Sequence, residues 1–314
     1  MSVDRRHLRR LRRLGALGRR RLGATTRAQA AGLPPEPPPE REIERLAARV
    51  DALERAAREF GSFAALDAWI AYAGTPSDLL VSVVLPTRSR VDLLSRAIAS
   101  VQAQTHEHWE LLIVDDRSTD STPELLASLK DPRIRPLQGA GDGAAAARNR
   151  GLDHATGAAI VYLDDDNVML PRWLQAVAWA FDRNPTRDVV YGARVCENDS
   201  ALDYAGTGTL PELSFIPFDR GRLEDGNNID ANVLAHRASL AEARWDEQLT
   251  IGSDWDLVLR LTERAPPLAL PALAVLYSTS SPARLSDSPD PRPTLLWIQE
   301  KTRARSRTRA DRPG

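Results

Sequence analysis

The sequence predicts a mainly parallel α/β sheet flanked by helices. Three observations carry that expectation. Short apolar, β-branched runs recur at 81–85, 111–114 and 159–163, the pattern of strands buried on both faces. Stretches with helical spacing separate them, and strands alternating with helices of this length pair in parallel. The runs end in polar or acidic residues, and open α/β sheets bind ligands beyond the carboxyl ends of their strands.

The elements follow in order. Val81–Leu85 is the first strand, and the next helix carries Leu93, Leu94, Ala97, Ile98 and Val101 on one face. Leu111–Val114 is the second strand. Thr122-Pro123 opens another helix, with Thr as cap and Pro at the first position. Ile134–Leu137 is a short strand, Ala144–His154 a helix, and Ala158–Leu163 the strand before Asp164-Asp165-Asp166. A helix from Pro171 to Asn184 and a strand Val189–Tyr191 come next. The stretch 193–230, rich in Gly, Asn and Asp, reads as an irregular loop region over a cleft. A helix over 253–264 follows, with Ser253 as its cap.

The flanks differ in composition. Residues 1–39 form a basic arm and a stiff linker: nine arginines stand in the first 23 residues, and Pro34-Pro35-Glu36-Pro37-Pro38-Pro39 follows. Leu8, Leu11 and Leu14 recur at helical spacing among the arginines. The arm is therefore a basic amphipathic helix on an anionic membrane or a solvated disordered arm, and Gly15, Gly18 and Gly23 weigh toward the second. Residues 40–76 read as a helical segment with Ile43, Leu46, Val50, Leu53 and Ala57 in one stripe, which packs on the domain or on a second copy as a homodimer. The globular domain spans 79–285, and 286–314 is a basic C-terminal tail.

Net charge is −1 over 314 residues, so the Arg-rich ends leave the centre acidic. No nucleic-acid partner is expected. The one cysteine, Cys196, rules out an internal disulfide and fits a reducing, cytoplasmic compartment. No apolar stretch approaches the length that spans a bilayer, and no apolar core follows the N-terminal charges as in a signal peptide. The expected location is cytoplasmic, with peripheral contact at the inner membrane face.

Asp164-Asp165-Asp166 carries the strongest chemical signal. Carboxylates crowded at a strand end repel one another unless a cation sits among them, and Mg²⁺ or Mn²⁺ with phosphate is the usual one. An acidic loop before a helix starting at Pro171 is the alternative. After the first strand, Pro86–Arg90 holds neither a dinucleotide fingerprint nor a P-loop. After the second, Asp115–Asp120 suits a ribose or base contact, or merely a turn and helix cap. On the helix over 253–264, Asp254 shares a face with Leu257, Val258 and Leu261, while Asp256, Arg260 and Glu263 share the opposite one. Asp254 is thus expected inward, with a raised pKa suited to a general base, and Asp256 at water. His236 contacts phosphate or acceptor, or is a satisfied structural histidine. Trp173, Trp179 and Trp245 read as core, and Trp255 beside the base as an acceptor contact.

Taken together, these stretches resemble the family 2 glycosyltransferases, inverting enzymes with a GT-A type fold. The matching segments are Val81–Thr87, Val114–Asp120, Ala147-Arg148-Asn149-Arg150-Gly151, Leu163–Asn167 and Gly252–Leu257, and the likeness covers about 79–280. It implies that Pro86, Thr87, Asp116, Arg148 and Asp165 bind the donor nucleotide, that Asp166 with Asp164 holds Mn²⁺ or Mg²⁺, and that Asp254 is the base. Where the family more often has Glu before that Asp, Ser253 stands here. The resemblance also implies a nucleotide-sugar donor and a glycan, lipid-linked or small-molecule acceptor. The Q-x-x-R-W motif and membrane helices of processive members are missing, so transfer is expected to be non-processive. A nucleotidyltransferase or a non-catalytic nucleotide-sugar binder are the alternatives; the first should carry a Gly-rich basic loop after strand one, the second should lack Asp254 or the triplet.

Overall fold

The computed structural model describes residues 61, 64–68, 71, 77–197, 212–278 and 292–310. The chain divides into residues 1–61 and 62–314. The arm, the Pro-rich linker and most of the expected 40–76 helical segment lie outside the described residues. Of that helix, 61, 64–68 and 71 are helical.

β1 (Val81–Thr87) and β2 (Trp109–Asp115) are buried along their whole length, as continuous apolar runs require. They pair in parallel, β2 pairs with β3 (Ile134–Gln138), and β1 pairs on its other side with β4 (Ala159–Tyr162). The crossovers are α1 (Val91–Gln102), α2 (Thr122–Ser128) and α3 (Ala144–His154). Beyond β4 the sheet becomes mixed. Its order is β3-β2-β1-β4-β8-β6-β9-β5, where β5 is Val168–Met169, β6 Val189–Glu197, β8 Leu234–Arg237 and β9 Leu268–Ser278. β8 runs antiparallel to β4 and β6, β9 parallel to β6, and β5 antiparallel to β9. β7 (Glu212–Ser214) pairs with β6. α4 (Trp173–Arg183) buries Trp173, Leu174 and Phe181 against this half.

The stretch expected to be irregular contains structure. β6 runs on to Glu197, because Ala193, Val195 and Cys196 pair with β9, and α5 (Arg220–Asp225) follows β7. Residues 198–211 lie outside the described residues. The C-terminal segment expected as a basic tail holds a helix, α7 (Arg292–Ala310), with Ile298 fully buried.

α6 (Ser253–Leu261) also departs from expectation. Gly252 precedes it in the left-handed region at φ 69°, and Ser253 makes no capping hydrogen bond. Trp255 to Leu259 are all buried, Asp256 included. The expectation that Asp256 faces water is therefore corrected. A two-faced reading of a helix assumes solvent on its polar side, and here basic residues of α7 occupy that side and pair with Asp256.

One sequence motif shows how packing sets the site. On α3, Gly151 lies against β1, and a Cβ there would stand 2.5 Å from Val84 Cγ1. Its missing side chain lets α3 approach the sheet and brings Arg148, one turn earlier, to the strand ends. Gly151→Ala should destabilise by about 1–3 kcal/mol through overpacking, lowering Tm by roughly 2–10 °C, and a second change, Val84→Ala, should recover part of it. Thermal unfolding of the single and double variants checks this; an unchanged Tm for Gly151→Ala would contradict the packing.

Candidate active site

A cleft of about 630 Å³ opens beyond the carboxyl ends of β1, β2 and β4. Thr87, Arg90, Asp116, Arg148 and Asp164–Asp166 line it at the strand ends, and Arg194, Asn227, Asp230, Asp254, Tyr277 and Leu295 are among the residues that line the rest. The loops after β1 and β2 are tied together: Ser89 N donates to Ser118 Oγ at 2.8 Å, and Thr119 N to Ser89 Oγ at 3.0 Å. Ser89 (φ 53°) and Arg117 (φ 62°) hold left-handed conformations that cost non-glycine residues energy, a strain that clusters at functional sites. Asp116 accepts from Gly141 N (2.7 Å) and Gly143 N (2.9 Å), folding the loop before α3 around its carboxylate.

Each aspartate of the triplet has its own partners. Asp164 accepts from Arg148 Nη2 at 2.5 Å and Asn232 Nδ2 at 2.9 Å, while its N–H donates to Asn232 Oδ1 at 2.7 Å. Burial alone would raise its pKa, but Arg148 and Asn232 outweigh it and hold the carboxyl below its ordinary value. Asp165 accepts from Thr87 Oγ1 at 2.8 Å and Arg90 Nη1 at 3.1 Å; burial outweighs these contacts and raises its pKa. Arg90 Nη1 also reaches Asp166 Oδ2 at 3.3 Å, so one guanidinium bridges two of the carboxylates. The Arg148 guanidinium stacks 4.3 Å from the Trp245 ring, and the neighbouring Asn149 fixes the Trp245 backbone through Oδ1 (2.8 Å) and Nδ2 (2.9 Å).

Asp254 stands apart from the triplet, at the first turn of α6. Asn227 Nδ2 donates to its Oδ2 at 2.7 Å. Burial and then the nearby Asp230 raise its pKa to about 6, the range of a general base. Asp230 is also raised, by burial and by Asp164, although Asn232 donates to it through N (2.8 Å) and Nδ2 (2.7 Å).

The pattern of "Glycosyl transferase family 2" matches residues 82–244. The chain belongs to this family. Among relatives of this transferase is the WcaA protein of Escherichia coli K12, whose name assigns it to colanic acid biosynthesis, 29% identical over 67% of this chain and 76% of its own. Another, from Escherichia coli, is the UDP-Glc:alpha-D-GlcNAc-diphosphoundecaprenol beta-1,3-glucosyltransferase WfgD, 38% identical over 31% of this chain and 39% of its own. The fold matches the crystal structure of a fragment of S. aureus TarS in complex with UDP-GlcNAc, with a TM-score of 0.59 and 17% identity over 71% of this chain and 65% of that one. The chain thus spans less than two thirds of the length of WfgD and of the TarS fragment. The GT-A type fold expected from the sequence is the one observed.

Of the residues expected at the transferase's site, Pro86, Thr87, Asp116, Arg148, Asp164–Asp166 and Asp254 share the cleft. His236 and Trp255 do not line it. His236 is a buried β8 residue whose Nε2 pairs with Tyr162 Oη at 2.8 Å, and burial lowers its pKa to about 4, so it is a neutral structural histidine. Trp255 is fully buried and its Nε1 donates to the Leu223 carbonyl of α5. Its place next to Asp254 in sequence misleads because neighbours on a helix point about 100° apart. Arg90, Arg194, Asn227 and Asp230 were not anticipated. Arg90 carried a readable signal, a cation in the loop after the first strand; Asn227 and Asp230 sat in a polar stretch with no period.

The metal expectation meets a specific geometry. Among the described residues no three His, Cys, Asp or Glu side chains gather as a ligand set. Both oxygens of Asp164 are engaged by Arg148 and Asn232. Asp166, which lines the cleft, suits the alternative in which one carboxylate and the donor's phosphates share a Mg²⁺ or Mn²⁺.

The raised pKa of Asp254 has a consequence for stability. Its folded pKa, about 6, exceeds the ordinary aspartate value of 3.8, so the ionised form is penalised in the fold. The penalty is absent below pH 4, grows between pH 4 and 6, and is complete above that. Asp254→Asn should therefore stabilise the transferase at pH 7, by at most about 3 kcal/mol, and leave it unchanged below pH 4. Thermal unfolding of both proteins across that range measures it; an equal gap at pH 4 and 7 would refute the shift.

Proposed function

We propose that this transferase moves one sugar from a nucleoside-diphosphate sugar to a hydroxyl of a glycan acceptor, with inversion and with Asp254 as general base. The observation that carries the reading is the division of charge across one cleft: arginines and the triplet at the strand ends, and a carboxyl of raised pKa on α6. TarS in complex with UDP-GlcNAc, and WfgD, named for UDP-Glc and a diphosphoundecaprenol-linked GlcNAc, support a UDP-sugar and a lipid-linked acceptor. The Arg-rich arm would add peripheral contact with an anionic membrane. Among the described residues no helix is long and apolar enough to cross one.

The chain's residues divide the work. Thr87 and Asp116 shape the nucleotide end, and Arg90, Arg148 and Arg194 offer cationic donors to the diphosphate. Asp254, steadied by Asn227, takes the proton of the acceptor hydroxyl as that oxygen attacks C1. The new C1–O bond forms on the face opposite the departing phosphate oxygen, which keeps the electron pair of the broken bond, and configuration inverts. Asp166 would hold a Mg²⁺ or Mn²⁺, which supplies Lewis-acid neutralisation of the leaving diphosphate. The nucleotidyltransferase alternative finds no support in the loop after β1, and the presence of Asp254 in the cleft favours catalysis over binding alone.

Asp254→Asn should lose ~10²–10⁴-fold in transfer while donor affinity by calorimetry stays nearly unchanged. Asp230→Asn removes the like charge beside the base, so the acid limb of the pH–rate profile should move to lower pH. A normal rate for Asp254→Asn would remove the general-base reading. For the metal, excess chelator should abolish transfer and Mn²⁺ should restore it, and Asp166→Ala should weaken Mn²⁺-dependent UDP binding. Full activity in chelator would end that part of the proposal.

A further inference from the structure

α6 carries two acids with opposite surroundings. Asp254 faces the cleft, while Asp256, two residues on and so roughly 200° around the helix, is fully buried on the other side. Three cations meet there: Arg260 Nε at 2.8 Å, Lys301 Nζ at 3.1 Å and Arg305 Nη1 at 3.2 Å. Two of them come from α7. Burial would raise the Asp256 pKa, but Arg260 and Lys301 outweigh it and hold the carboxyl ionised, below its ordinary value.

α7 grips its surroundings at further points. Lys301 also pairs with Asp246, and Arg305 Nε reaches Glu263 Oε1, just past α6, at 2.9 Å. Ile298 lies against the backbone hinge that starts α6: a Cβ on Gly252 would stand 3.0 Å from Ile298 Cδ1. Leu295, one turn earlier, lines the cleft itself. α7 therefore touches the start, the buried face and the end of the helix that bears the base, and it lies wholly beyond the residues matched by the family pattern.

We propose that α7 is a strap that positions the general base: Lys301 and Arg305, acting through Asp256, set the depth and angle of α6 at which Asp254 meets the cleft. A helix is rigid over two residues, so a hold on one face fixes the direction of the other. A single buried carboxylate that satisfies cations from two helices permits little displacement, because any shift leaves charges buried and unpaired. Lys301, Arg305 and Asp256 are positioning residues and touch no substrate. The inference rests on the reading of Asp254 as the base.

The test uses the full chain and two readouts. The first is the Tm difference between each background and the same background with Asp254→Asn, followed from pH 4 to pH 7. The charged groups acting on Asp254 from outside α6 are Asp230 and Arg148, and both stay in place. In Lys301→Met/Arg305→Met, a loosened α6 lets the half-buried Asp254 move further into solvent and away from Asp230, so the difference at pH 7 should fall to half or less of that in the unaltered chain. Arg305→Lys, which keeps a cation beside Asp256, should retain most of it. The second readout is UDP release from UDP-GlcNAc with Mn²⁺, where the double variant should lose at least tenfold with UDP affinity within twofold, and lose less than twofold when Asp254→Asn is already present. If the double variant does not fold, Arg305→Met alone is read in the same way. An unchanged Tm difference, or an equal fractional loss of rate with and without Asp254→Asn, overturns the strap. A normal rate for Asp254→Asn with a shrunken Tm difference instead removes the base reading and leaves the mechanical link standing.

Discussion

The half-buried carboxylate of Asp164 keeps its charge because Arg148 and Asn232 take its two oxygens, and the rest of the cleft is arranged around that three-residue contact. It joins three parts of the chain. Arg148 comes from α3, Asp164 from the end of β4, and Asn232 from the turn before β8. The same Asn232 amide also donates to Asp230, so the wall bearing the triplet and the wall beside Asp254 share one buried side chain. Removing Asp164 would leave the buried Arg148 guanidinium without its carboxylate, which is the costly way to break such a pair.

From this contact follows a sorting of acids by environment. Asp164 and Asp256 are held ionised by adjacent cations, while Asp165, Asp230 and Asp254 are pushed toward the protonated form by burial and then by a neighbouring carboxylate, Asp164 for the first two and Asp230 for the third. Carboxylates placed close together in a fold divide into fixed anions and proton carriers when their partners differ, and that division is what assigns separate tasks to chemically identical groups. Arg90 serves the crowded pair at the strand end, where it bridges Asp165 and Asp166.

Much of this was legible in the sequence. The parallel half of the sheet follows from uninterrupted apolar runs, and strand-end chemistry follows from where those runs stop. Ala147–Gly151 was recognisable as a motif, although only the structure shows why: Gly151 seats the helix on Val84, Asn149 pins Trp245, and Arg148 reaches Asp164. What failed to show depends on distant partners. β9 and the extension of β6 stabilise each other across some eighty residues of sequence and carry weak local patterns. Asp256 looked like half of an exposed pair with Arg260; that pair exists, but the cations that bury it lie 45 and 49 positions later. Asp230 offered no periodic cue, since its role depends on standing near Asp254.

That separation along the chain also orders events during synthesis. Domains fold as the polypeptide emerges, the earlier part first. The parallel half of the sheet and the triplet are complete well before Lys301 and Arg305 are made. Until then Asp256 must keep its water, so α6 cannot settle dry against the sheet. The strand-end half of the cleft therefore matures before the half that bears Asp254.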